Sequence, residues 1–125
     1  MMAGNDADAQ ARQQTPKPNP ALERLDVLVG TWNVSGPTIQ GRVTFAWMDG
    51  GFFLVQRGAL EQDGKKIESV EYIGYEQKWG ADAPSKDCTS HVFDTMGHHF
   101  EYVWDVRDAT LTIWGGYVGS PAAFK

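Results

Sequence analysis

Cysteine is almost missing from this chain. Cys88 is the single one, so no internal disulfide can form, and that agrees with a reducing compartment. Positive charge is also scarce. Eleven Lys and Arg stand against sixteen Asp and Glu, for a formal net charge of −5, whereas binding to a phosphate backbone needs clustered Lys and Arg. Nucleic acid is therefore not an expected partner. No apolar run approaches the roughly 20 residues that span a bilayer, and the start lacks the basic-then-apolar pattern of a signal peptide. A cytoplasmic chain with no membrane partner is the expectation. Catalytic patterns are missing as well. Ser35, Ser69, Ser85, Ser90 and Ser120 do not sit in a Gly-x-Ser-x-Gly elbow. Glu71 and Glu76 lie five apart, which on a strand turns them to opposite faces and makes no carboxylate pair. Cys88 has no basic motif at a helix start to lower its pKa. No catalytic residue is assigned, and an enzyme is not the expectation.

What is present is turn signals and large side chains. The 125 residues suffice for one domain with one core. Five Trp, four Tyr and six Phe supply bulk for a core or a cavity wall. Residues 1–18 are polar and end in a proline-rich lead-in, which reads as a disordered tail before a domain over 19–125. Asn19 is a good N-cap and Pro20 suits the first helical position. Leu22, Leu25, Leu28 and Val29 then recur at helical spacing, and Gly30 reads as the stop. This predicts a short helix that plugs the end of a β-structure, with Trp32 packed against it. Downstream, apolar residues alternate with polar ones between regular turn signals. Strands are expected over 31–35, to about Met48, 52–60, 66–76, 87–93, 99–107 and 110–114, with a last run over 122–125. Asp49-Gly50-Gly51 and Asp63-Gly64 are the strongest hairpin signals. Met96-Gly97 and Asp108-Ala109 are further turns, and Gly115-Gly116 interrupts the pattern. Consecutive hairpins without crossovers predict an all-β fold, an antiparallel up-and-down barrel with a short N-terminal helix. The eighth strand has barely begun at Lys125, so a barrel incomplete at its C-terminus is expected.

A short apolar helix, then Gly30-Thr31-Trp32 opening a meander of strands, resembles the calycin superfamily, which includes lipocalins and fatty-acid-binding proteins. Residues 25–32, Trp-Met-Asp-Gly-Gly-Phe-Phe-Leu-Val-Gln over 47–56 and Tyr-Ile-Gly-Tyr-Glu over 72–76 resemble a bacterial family of uncharacterised lipocalin-like proteins (DUF1579-like). The resemblance spans most of residues 20–125. It implies a small barrel with an internal cavity, and members continue into further strands. It brings no catalytic motif. The lipocalin arginine that covers the tryptophan has no match in this sequence.

Trp47, Phe53, Tyr72, Tyr75, Phe93, Tyr102 and Trp104 come from different strands and suit either ordinary core packing or the wall of a pocket for an apolar or aromatic ligand. Arg57 shares strand parity with Phe53 and Val55. On an inward face its guanidinium would pair with a ligand carboxylate; on an outward face it is an ordinary exposed arginine. Which face points inward is open, since Phe52 and Leu54 compete. The expected ligand-binding set is Trp47, Phe53, Arg57, Tyr72, Tyr75, Tyr102 and Trp104, without a cofactor. His91, His98 and His99 match no recognised zinc spacing, and adjacent His98 and His99 would point to opposite faces of a strand. His91 is the weak candidate for a metal, or for haem in an alternative redox barrel. A second alternative is a structural module whose strand edges pair in a homodimer.

Overall fold

A computed structural model of the chain describes residues 16–107, 110–115 and 123–124. All but the last three residues of the expected tail, the expected turn at Asp108-Ala109, Gly116, and residues 122 and 125 of the last run lie outside the described residues. A 3-10 helix, Pro20–Leu28, leads into eight strands: β1 (Gly30–Ser35), β2 (Ile39–Trp47), β3 (Phe53–Gln62), β4 (Lys65–Gly74), β5 (Cys88–Asp94), β6 (His99–Arg107), β7 (Thr110–Gly115) and β8 (Ala123–Phe124). They pair antiparallel in sequence order as one sheet, mostly up-and-down and curled into a half-barrel. The all-β, up-and-down expectation holds. No helix among the described residues is long and apolar enough to cross a membrane.

The helix begins as the sequence predicts. Asn19 Oδ1 accepts the Ala21 N–H at 2.9 Å, and Pro20 occupies the first helical position. Its winding differs from a regular α-helix because the apolar residues recur in threes. Leu22 and Leu25 are buried and Leu28 half-buried, and a three-residue repeat forms one face of a 3-10 helix. Val29 leaves that face as the extended C-cap and is exposed. Gly30 follows with φ +130°, where the chain turns into β1.

Trp32 meets the helix as expected, at its C-terminal end and from the surface. It is 46% exposed, and its indole N–H donates to the Leu28 carbonyl at 2.7 Å. It therefore caps the helix C-terminus rather than filling the interior. Trp47 makes the second tie, its indole N–H donating to Asp26 Oδ1 at 2.8 Å.

Between β3 and β4, Asp63 (φ 50°) and Gly64 (φ 82°) form a two-residue turn with both central φ angles positive, the conformation that matches strand twist in tight hairpins. β2 begins at Ile39, earlier than its apolar alternation suggests, and passes through Gly41.

Directly paired residues share a sheet face. One face carries Trp47, Leu54, Ile73, Ser90 and Tyr102 in one row, and Phe45, Gln56, Glu71, Val92 and Phe100 in the next. Leu22, Leu25, Phe45, Leu54, Ile73, Cys88 and Trp104 form the buried cluster here, so the helix covers one end of this core face. The outer face carries Phe53, Gly74, Thr89, Val103 and Trp114 in a row. Phe53 lies across Gly74, and Val103 is buried, so this end of the sheet is covered on both sides.

Candidate functional site

The core face holds a polar chain where apolar residues would be expected. Glu71 on β4 and Ser90 on β5 are buried, at 6% and 0% exposure. The Ser90 hydroxyl donates to Glu71 Oε2 at 2.6 Å and accepts the Trp104 indole N–H at 3.0 Å. The chain thus runs diagonally across β4, β5 and β6. Burial pushes the Glu71 carboxyl above its ordinary 4.5, partly offset by the Ser90 hydrogen bond. The Tyr102 phenol is raised as well, first by burial and then by the charge on Glu71. Taking an ionised carboxylate out of water is costly unless it is well paired. A carboxyl held there with a displaced pKa marks a candidate functional site.

The expected ligand-binding residues divide between the two faces. Trp47, Tyr75, Tyr102 and Trp104 belong with the core cluster. Phe53, Arg57 and Tyr72 do not, because their partners in register are Gly74, Val70 and His91 on the outer face. Strand parity separates the two groups, so the seven side chains do not line one continuous cavity. Arg57 is exposed. The geometry resolves the competition between the two parities of β3 in favour of Leu54, which is fully buried. On the core side, Tyr75 and Trp104 line a cleft of about 200 Å³ under the helix. Trp47 lines a groove of about 770 Å³ between the helix and the Pro18 segment. At the far end of β1–β4, Val34, Leu60 and Ile67 are among the residues that line a groove of about 580 Å³. Along β4 the core face therefore runs from Ile73 under the helix, through Glu71 and Ser69, to Ile67 at that groove.

His91 lies on the outer face, in register with Tyr72 and Glu101. A haem seated inside the half-barrel would not meet it, so its placement does not support the haem alternative. His98 belongs to the β5–β6 turn, where it bonds Asp94.

Sequence reasoning passed over Glu71 and Ser90 as members of a site. The available signal was parity, since Glu71 alternates with Ile73 and Tyr75 on a strand whose apolar residues define the core side. Compared with known proteins, the chain matches no family model and no curated protein.

Proposed function

We propose that the half-barrel binds a small ligand with an apolar or aromatic body on its core face, and that Glu71 is the polar anchor. The observation that carries this reading is the buried Glu71–Ser90–Trp104 chain on the face that also bears Trp47, Tyr75 and Tyr102. A carboxyl in low-polarity surroundings accepts a hydrogen bond more strongly than one in water. It therefore favours a ligand with a hydroxyl or amine donor on an otherwise apolar frame. Arg57, on the other face, has no part in it, and the case for a ligand carboxylate goes with it. A relationship to calycin-like binders, within the DUF1579-like family, is part of the same reading. It is supported by the helix, the Gly30-Thr31-Trp32 start and the up-and-down strand order. So is a cytoplasmic location, supported by the lone cysteine.

Native mass spectrometry of gently purified protein, beside a denatured sample, tests this. The expected result is a reproducible added mass that denaturation releases and that Glu71→Gln reduces. Bare chain mass, with no change in Trp104 fluorescence on titration with apolar alcohols and amines, would overturn it.

A further inference from the structure

The outer face brings together a second set of groups, which the core-face reading leaves unused. The β5–β6 hairpin pairs Phe93 with His99 and His91 with Glu101, so His91, His99 and Glu101 become neighbours on one face. His91 Nδ1 and His99 Nε2 are 3.3 Å apart. Glu101 Oε1 lies 3.5 Å from the first and 3.8 Å from the second. Two imidazole nitrogens and one carboxylate oxygen thus form a compact triangle.

We propose that His91, His99 and Glu101 bind a divalent cation of the zinc class. Zinc takes nitrogen ligands at about 2.0–2.1 Å in tetrahedral geometry. Two such ligands on one ion stand about 3.3 Å apart by simple trigonometry. The His91–His99 separation is that distance, and the two contacts to Glu101 are slightly longer. A small movement of the flexible Glu101 side chain closes the triangle around an ion. Three protein ligands leave the fourth tetrahedral position to water, which the exposed His99 and Glu101 beside the half-buried His91 admit.

The surroundings orient the ligands. His91 Nε2 sits 3.0 Å from Glu76 Oε2. A carboxylate on the far nitrogen holds that N–H and presents Nδ1 to the ion unprotonated, as is usual for metal-bound histidines. His99 is clamped between rings: its centroid stacks on Phe93 at 4.7 Å with planes 5° apart, and on His91 at 5.5 Å with planes 12° apart. Glu76 and Glu101 together bring two negative charges to offset the dication. Sequence spacing does not show this site, because its ligands come from two strands joined by a hairpin rather than from one short motif.

Zn²⁺ alone is the probe, added to the untagged full chain in isothermal titration calorimetry. The expected result is one Zn²⁺ per chain, with affinity reduced more than tenfold in His91→Ala and in His99→Ala. Glu76→Gln should weaken binding by about 10–100-fold, as for other partners of ligating histidines, and Glu101→Gln should weaken it too. His98→Ala should change it less than twofold, since His98 belongs to the Asp94 turn. Independently of any variant, one equivalent of Zn²⁺ should shift the ¹⁵N resonances of His91 Nδ1 and His99 Nε2 and spare those of His98. Absence of Zn²⁺ binding would overturn the site. So would undiminished binding by the His91→Ala/His99→Ala double variant, or shifts centred on His98.

Discussion

Glu71 and Trp104 stand on strands that do not pair with each other, and the single hydroxyl of Ser90 on the strand between joins them. The indole gives its proton to the hydroxyl, and the hydroxyl gives its own to the carboxyl. Each buried polar group is satisfied by the next, which is what makes a carboxyl tolerable on the core face.

Ser90→Ala should therefore destabilise more than loss of a small side chain implies. It removes one oxygen but leaves the Trp104 N–H and Glu71 Oε2 without that partner in a buried setting. Unsatisfied buried groups cost about 1–3 kcal/mol, so a loss of about 2 kcal/mol is expected. Urea unfolding should show a lower midpoint with an unchanged slope. A loss no larger than about 0.5 kcal/mol, the scale of surface substitutions, would show that the chain contributes nothing to stability.

The raised Glu71 pKa gives stability a pH dependence of definite sign. In the unfolded chain the carboxyl titrates near its ordinary 4.5, and in the folded chain it titrates higher. Between those two values the folded state holds more proton, so stability falls as pH rises through the window. Below the ordinary value both states are protonated and the full contribution is present. Glu71→Gln keeps an acceptor for Ser90 and does not titrate. It should be more stable than the natural chain at pH 7, with the difference shrinking towards pH 4. Unfolding midpoints for both proteins across that range check this, and parallel curves would contradict it.

Much of the fold is legible in the sequence because its determinants are local. Asp63-Gly64 specifies its hairpin through two positive φ angles, and Asn19-Pro20 specifies a helix start. The winding of the helix was less accessible, since Leu22, Leu25 and Leu28 fit both a three-residue and a 3.6-residue period over so short a span. Gly41 hid the start of β2, because glycine normally punctuates strands. The candidate sites were harder for a different reason. Arg57 and Trp47 both suit a pocket by residue type, but which of them faces the core depends on register with neighbouring strands and on where the helix lands. His99 and Glu101 meet His91 through the β5–β6 pairing; a turn around Met96-Gly97 is legible, but only a loop centred on Met96 sets His99 opposite Phe93 and Glu101 opposite His91.

Cys88 should be nearly inert in the native state. It is buried beside Trp104 on the core face, and burial pushes its thiol up from 9.0 to about 12. At pH 8 about one in ten ordinary thiols of that starting value is ionised, against about one in ten thousand at the raised value, and the thiolate is the reactive form. Reaction with a thiol-specific disulfide reagent should run at least about a thousandfold slower in the folded chain than in urea. Comparable rates in the two conditions would show that the β5 end opens readily.

Thr89 offers the opposite case to its neighbour. It sits on the outer face, and its hydroxyl is buried without a hydrogen-bond partner among the described residues, as is the Trp114 indole N–H two strands away in the same row. Thr89→Val keeps the branched shape that suits a strand and removes the orphan oxygen. With no bond lost and a desolvated polar group removed, stability should rise by about 1 kcal/mol. Ser90→Ala and Thr89→Val, one residue apart, should thus move the urea midpoint in opposite directions. The sign is set by which face each hydroxyl meets and whether that face supplies a partner. A loss of stability in Thr89→Val would mean that the Thr89 hydroxyl is bonded in solution, for which an ordered water in the row between Val103 and Trp114 is the available donor or acceptor.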